Sequence, residues 1–133
     1  MTTAGAIVVD ASVLVDALTQ RDLRDLRQAL STVTLHAPTL VDFEVLSALR
    51  GLVLGGHLSE PRGTDALADF GALALRRHAT SAGLRADIWA LKGQLTAYDA
   101  AYVAVAQALD VALWTRDARL ARAASGTVEV MIV

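Results

Sequence analysis

Short apolar runs alternate along the chain with longer segments of mixed polarity. The first run, Ala6–Val9, contains no polar residue, which is typical of a strand buried on both faces of a sheet. Further strands are predicted at Val33–Ala37, Val111–Thr115 and Val128–Val133, with a short edge strand within Ala72–Ala79. Helical segments separate these strands, so the pattern indicates β-α-β crossovers. It therefore predicts an α/β fold with a central, mostly parallel β-sheet flanked by α-helices on both faces.

The segments between the strands repeat apolar residues at helical spacing. Helices are predicted at Ala11–Leu18, Asp22–Leu30, Pro38 to the glycine pair at 55 and 56, Thr64–Gly71, Ser81–Leu91, Asp99–Leu109 and Asp117–Ala124. Thr39, followed three residues later by Asp42, predicts a capping box at the start of the third helix. Ser12 stands where its hydroxyl can cap the first helix.

The length and composition of the chain favour one ordinary globular domain covering residues 1–133. Hydrophobic residues make up 54% of the chain, but charged residues interrupt every apolar stretch well before the ~18 residues that a membrane span needs. The N-terminus lacks the basic region of a secretory signal. We therefore expect a cytoplasmic protein without membrane contact.

Charge and metal-binding residue types narrow the chemistry further. The net charge is −2 and the isoelectric point is about 5.8, so the whole chain does not attract nucleic acid electrostatically. Cysteine is absent, which excludes disulfides and thiolate metal sites. His36 has no second histidine at metal-ligand spacing, and we expect it to pack as a strand residue at a sheet edge.

Four carboxylates occupy equivalent places in the predicted fold. Asp10 follows the first strand, Glu44 lies in the early turns of the third helix, Asp99 opens a helix, and Asp117 follows a strand. Each has an ordinary explanation, since acidic residues are common near helix N-termini. Ligands bind at the carboxyl edge of a parallel sheet, however, and four carboxylates there need raised pKa values or a cation. Oxygen ligands alone suit Mg²⁺ or Mn²⁺, which serve phosphoryl chemistry.

Three segments around these acids resemble the motifs of one family. Val8–Leu14 (Val-Val-Asp-Ala-Ser-Val-Leu) looks like the opening motif of PIN domains, and Leu95–Ala106 closely resembles their third-acid helix. Leu113–Ala121 is similar to the final segment, in which a hydroxyl residue stands two positions before an acid. The similarity extends over essentially the whole chain, and its length resembles that of VapC toxins of type II toxin–antitoxin systems.

The resemblance implies a Mg²⁺- or Mn²⁺-dependent endoribonuclease that a VapB-like antitoxin holds inactive. It implies structured RNA, such as tRNA or rRNA, as the substrate, and a homodimer as the assembly. The residues that match the family's site are four catalytic, metal-binding acids (Asp10, Glu44, Asp99 and Asp117) and two supporting hydroxyls (Ser12 and Thr115). Arg116 and Arg119 are the nearest candidates for binding the substrate, and Asp16 and Asp42 stay outside the predicted ligand set.

Other acid-bearing folds fit less well. A response-regulator receiver needs a late lysine, whereas Lys92 lies outside any late strand end. A haloacid-dehalogenase-type phosphatase needs a second Asp where this chain has Ser12. The glycine patterns of dinucleotide and P-loop sites are missing from the sequence. The serious alternative is a non-catalytic PIN-fold module that binds RNA or a protein partner.

Overall fold

The fold is organised around one parallel sheet, as a computed structural model describes it for residues 5–133. Within these residues the sheet has five strands: β1 (Ala6–Val9), β2 (Thr34–Pro38), β3 (Leu75–His78), β4 (Ala112–Thr115) and β5 (Val130–Ile132). Their order is β3-β2-β1-β4-β5, and all neighbouring pairs are parallel. The predicted α/β fold with a mostly parallel sheet is therefore confirmed, with β1 at its centre.

Helices cover both faces of this sheet. They are α1 (Ala11–Thr19), α2 (Arg24–Ser31), α3 (Val41–Leu54), α4 (Glu60–Ala72), α5 (Ala82–Ala90), α6 (Ala97–Leu109) and α7 (Ala118–Ala124). α1 packs against α3 and α4, whereas α5 packs against α6. Ile7, Val8 and Val9 are at most 5% exposed. Because consecutive strand residues point to opposite faces, their burial shows that helices cover β1 from both sides.

Helix α6 contains seven consecutive buried residues and fixes one part of the site. Residues 100–106 are all buried, and the helix packs on β1, β2 and β4. The backbone N–H of Val111, just before β4, donates to the carbonyl of Ala106. Because α6 ends where β4 begins, it runs against the strand direction. Its first turn, which includes Asp99, therefore lies at the carboxyl ends of the strands.

The start of α3 differs from the prediction. Pro38 belongs to the end of β2, and the helix begins at Val41. The predicted capping box of Thr39 and Asp42 is wrong, because no side chain caps this helix. The Asp42 carboxylate instead accepts hydrogen bonds of 2.8–3.0 Å from the Arg77 guanidinium. A partner from β3, distant in sequence, outcompetes the local cap.

Helix α4 begins at Glu60, earlier than the predicted Thr64. Pro61 lies in its first turn, where the backbone N–H has no partner inside the helix, so a proline costs nothing there. Gly63 marks a close approach between helices. A Cβ atom there would lie 2.7 Å from a methyl carbon of Val53 in α3. The glycine and proline that resemble a loop in the sequence are thus part of a helix.

His36 lies in a strand, as expected, but the expected position at a sheet edge is wrong. Strand β2 lies inside the sheet, and the His36 Nδ1 atom lies 2.8 Å from Nε2 of His78 in β3. One of the two nitrogens carries the proton of this hydrogen bond. The two histidines are far apart in sequence, and the parallel pairing of β2 with β3 brings them together.

The excess of apolar residues fills this two-sided core. Its fully buried members include Leu14, Val41, Val45, Leu113 and Tyr102. No helix in residues 5–133 has the length and hydropathy needed to cross a membrane.

The histidine pair predicts that acid destabilises the protein. Burial, helped by the nearby positive charges of His78 and Arg76, lowers the pKa of His36. The unfolded chain, with a histidine pKa of about 6.5, therefore binds a proton more readily than the folded chain does. The stability that neutral His36 contributes is present at pH 7.5 and is lost as the pH falls below about 6.5.

Urea unfolding of the wild type and a His36→Asn variant at pH 7.5 and 5.5 measures this contribution. The wild type should lose more stability on acidification than the variant, and equal losses would contradict the assignment.

Candidate active site

Asp10 is the buried centre of the candidate site. It follows β1 directly, and its backbone N–H donates to the carbonyl of Trp114 in β4 at 2.9 Å, so two central strands fix its backbone. The residue is only 8% exposed. Its Oδ2 atom accepts hydrogen bonds from the Ser12 hydroxyl at 2.7 Å and from the Thr115 hydroxyl at 2.9 Å. Burial nevertheless raises the pKa of Asp10, and the negative charge of Asp99 adds to this effect.

The two hydroxyls also connect Asp10 to the segment between β4 and α7. The Ser12 Oγ atom accepts from the backbone N–H of Arg116 at 3.2 Å, and the Thr115 Oγ1 atom accepts from the backbone N–H of Asp117 at 3.0 Å. Ser12 therefore does not cap its own helix as the sequence suggested, since α1 has no side-chain cap. Both hydroxyls tie the Asp10 carboxylate to the backbone that carries Asp117.

Glu44 reaches the site from α3. Its Oε1 atom accepts a hydrogen bond of 2.5 Å from the hydroxyl of Tyr102, a residue of α6 that is 1% exposed. Burial raises the pKa of Glu44, and the charges of Asp10 and Asp99 raise it further, whereas the Tyr102 bond lowers it. These mutual effects show that Glu44, Asp10 and Asp99 lie close together.

Tyr102 is the residue that sequence reasoning missed. A tyrosine inside an otherwise apolar, buried helix needs a hydrogen-bond partner for its hydroxyl, and this requirement was the available signal. The sequence could not say that the partner is Glu44, because that residue is 58 positions away. Burial and the Glu44 carboxylate raise the pKa of Tyr102, so the hydroxyl stays protonated and acts as a donor.

Asp99 and Asp117 form the more exposed half of the site. Asp99 lies in the first turn of α6. Asp117 caps α7, and its Oδ1 atom accepts from the backbone N–H groups of Arg119 and Leu120 at 2.9 and 3.2 Å. The Nη2 atom of Arg119 lies 3.0 Å from Asp99 Oδ2 and 3.4 Å from Asp117 Oδ2. One guanidinium thus bridges the two carboxylates.

The second predicted substrate-binding arginine is held elsewhere. The Nε atom of Arg116 donates to Asp16 Oδ2 at 2.7 Å, and its Nη1 atom donates to the carbonyl of Val133 at 2.8 Å. Asp16 is thus engaged in an ion pair, as Asp42 is with Arg77. We call Asp10, Glu44, Asp99 and Asp117 the acidic cluster. Asp16 and Asp42 do not belong to it, and Arg119 is the arginine that contacts it.

The chemistry of the cluster fits a hard divalent cation. Its four acids supply only oxygen donors, which Mg²⁺ and Mn²⁺ prefer. Burial raises the pKa values of Asp10 and Glu44 despite their hydrogen bonds, and a nearby cation would favour their charged forms. In residues 5–133, no three histidine or acidic side chains converge closely enough to enclose an ion as they stand. Side-chain shifts are therefore needed for an ion to bind, and Arg119 lies between two of the acids.

Comparisons with known proteins show which family the chain belongs to. The family model described as PIN domain matches residues 7–126. Ribonuclease VapC9 of Mycobacterium tuberculosis is 40% identical over 129 residues, which cover 96% of this chain and 98% of that protein. Ribonuclease VapC1 of the same species is 41% identical over 128 residues, covering 95% and 96%. The chain belongs to the VapC ribonucleases of the PIN-domain family. The resemblance found in the sequence is confirmed.

A solved structure also has the fold of the present chain. A toxin–antitoxin complex from Klebsiella pneumoniae contains a chain that aligns with a TM-score of 0.62 and 21% identity, covering 95% of this chain and 96% of that one. At this level of identity the similarity concerns the fold. It agrees with the predicted PIN-like architecture.

The hydrogen bond from Tyr102 predicts how removal of the Tyr102 hydroxyl affects the pKa of Glu44 and the stability of the protein. A Tyr102→Phe variant leaves the half-buried Glu44 carboxylate without this donor, so the pKa of Glu44 should rise further. The free energy of unfolding should fall by about 1–3 kcal/mol, as expected for a lost hydrogen bond to a charged group. Carboxyl NMR titration and urea unfolding check these two effects.

A Tyr98→Phe variant is the matched control, because Tyr98 lies in the same helix and is 68% exposed. It should change neither the Glu44 titration nor the stability measurably. Identical behaviour of the two variants would contradict the role assigned to Tyr102.

Proposed function

We propose that this chain is the toxin of a type II toxin–antitoxin pair, an endoribonuclease that hydrolyses RNA phosphodiester bonds at the acidic cluster with Mg²⁺ or Mn²⁺ as cofactor. The observation that carries the proposal is the meeting of Asp10, Glu44, Asp99 and Asp117 at the carboxyl edge of the sheet. Its second support is the approximately 40% identity to ribonucleases VapC9 and VapC1.

The four acids have two different roles in holding an ion. Asp10 and Asp99 are the principal ligands in this proposal. Asp10 is fixed by two strands, and Asp99 lies in the first turn of α6, directly before a run of seven buried residues. Glu44 and Asp117 complete the set directly or through water. The bound ion supplies positive charge that activates water and stabilises the negative charge developing on the scissile phosphate.

Hydrogen bonds around the acids keep them in the form that binds a cation. The hydroxyls of Ser12 and Thr115 lower the pKa of Asp10, and the Tyr102 hydroxyl lowers that of Glu44. They oppose the effect of burial, so more of each acid is ionised near neutral pH. The three hydroxyls also leave their carboxylates little freedom to rotate, which prepares the site for its ligand.

The substrate is RNA with a defined structure, such as tRNA or rRNA. A chain with a net charge of −2 gains little from unspecific attraction to phosphates, so recognition must rely on local contacts and shape. Arg119 can contact a phosphate beside the acids, and Arg116 can do so only after leaving Asp16. The location proposed for this activity is the cytoplasm, where tRNA and rRNA are found.

The partners proposed for this chain are a VapB-like antitoxin and a second copy of itself. A chain of the same fold occurs in the Klebsiella pneumoniae toxin–antitoxin complex. In addition, α3 exposes large apolar side chains, with Phe43 76% and Leu54 69% exposed. Exposed apolar groups on one helix are typical of a surface that another protein covers.

The proposed activity is tested by incubating purified, antitoxin-free protein with total cellular RNA. Discrete fragments should form with Mg²⁺ or Mn²⁺ and should be absent with EDTA. An Asp99→Asn variant should lose about 100-fold or more of the cleavage rate, because a principal ligand charge is removed.

Asp110→Asn is the matched control for this substitution. Asp110 lies at the opposite end of α6 in a left-handed conformation that asparagine also adopts readily. Its variant should cleave at the wild-type rate. Intact RNA from the folded, ion-loaded wild type would overturn the enzyme proposal and favour a non-catalytic binding module.

A further inference from the structure

The Arg119 side chain is well placed to act as a cation of the site itself. It extends from the first turn of α7, is 63% exposed, and lies between two carboxylates. We propose that Arg119 is an internal counter-cation that holds Asp99 and Asp117 in the ion-free protein and releases them when a divalent ion binds. This inference rests on the proposed function, because it takes the acidic cluster to be the ion site.

Charge explains why a cation is needed at this position. Four carboxylates meet at one edge of the sheet, and those of Asp10, Glu44 and Asp99 interact with one another. Among the residues that the structure describes, Arg119 is the one cationic side chain in a salt bridge with any of the four acids. The guanidinium therefore reduces the repulsion between the acids as long as no ion does so.

Arg119 and a divalent ion compete for the same oxygen atoms. Nη2 contacts Asp99 Oδ2 and Asp117 Oδ2, and an ion of the Mg²⁺ class binds carboxylate oxygens at about 2.1 Å. A guanidinium nitrogen that stays at hydrogen-bond distance from both atoms would block their side facing the ion and would repel its charge. One of the two cations must therefore leave.

The structure makes departure of the arginine easy. Its side chain is mostly in solvent, and an exposed ion pair changes an equilibrium constant by only about fivefold at most. The backbone N–H of Arg119 remains bonded to Asp117 Oδ1, so α7 keeps its cap when the guanidinium moves. After release, the planar Arg119 guanidinium stands beside the reacting centre and can donate to two oxygens of an RNA phosphate. Arg116 differs, because Asp16 and the Val133 carbonyl hold it.

The competition predicts opposite effects on ion and RNA. In an Arg119→Gln variant, Mn²⁺ should bind about three- to fivefold more tightly, since a competing charge has gone. The KM for RNA should rise by a similar factor, because a phosphate contact is lost. A general disturbance of the site would weaken both. Titration of the RNA-free full chain with Mn²⁺, followed by electron paramagnetic resonance of the free ion, measures the first effect, and cleavage kinetics at saturating Mn²⁺ measure the second.

Two variants serve as controls. Arg119→Lys keeps the charge and should retain nearly wild-type Mn²⁺ affinity, which separates charge from side-chain bulk. Arg122→Gln removes a positive charge from the last turn of the same helix and should alter Mn²⁺ affinity less than twofold. Circular dichroism verifies that each variant is folded.

The outcomes separate this inference from the proposed function. If the wild type binds Mn²⁺ and Arg119→Gln binds it equally or more weakly, the counter-cation role is overturned and the ribonuclease proposal stands. An unchanged KM would overturn the transfer of the guanidinium to RNA. If neither protein binds Mn²⁺, both the inference and the metal site of the proposed function are overturned.

Discussion

The site depends on the way one buried carboxylate is held at the junction of two central strands. Asp10 directly follows β1, and the hydroxyls of Ser12 and Thr115 donate hydrogen bonds to its Oδ2 atom. The same two hydroxyls accept backbone N–H groups that lead from β4 to α7. The position of Asp117 therefore follows from the position of Asp10. Without these hydroxyls, a buried negative charge would face apolar strands with too few partners.

The four acids fall into two pairs with different means of support. Asp10 and Glu44 are held by hydroxyl groups, and burial raises the pKa of each. Asp99 and Asp117 lie at the N-terminal ends of helices, where the helix dipole favours negative charge, and they share one arginine. The first pair provides a preformed, poorly compensated negative potential. The second pair can exchange its partner, which makes it suitable for admitting an ion.

The sequence revealed the parts of the site that local pattern determines. An apolar run that ends in Asp10 identifies a buried strand and its carboxyl edge, and the predicted helix start places Asp99 in the first turn of α6. Predictions from local pattern failed where a side chain binds a partner that is distant in sequence. Asp42 binds Arg77 instead of capping its helix, and the Ser12 Oγ atom accepts a hydrogen bond from the backbone N–H of Arg116.

Pairs that only the folded sheet brings together were also beyond the sequence. The bond between Tyr102 and Glu44 and the bond between His36 and His78 each join residues more than 40 positions apart. Neither pair has a spacing or composition signal, since each depends on the order of strands and on how α6 packs across them. The fold class was predictable because periodicity reports burial, whereas these contacts depend on the topology.

The central claim is that the four acids form one divalent-cation site at the carboxyl edge of the sheet. The most direct measurement is the anomalous diffraction of Mn²⁺ in crystals of the protein grown with that ion. The account predicts one or two strong peaks among Asp10, Glu44, Asp99 and Asp117, with the Arg119 guanidinium displaced from Asp99. A peak elsewhere, such as between His36 and His78, together with empty acids at saturating Mn²⁺, would contradict it.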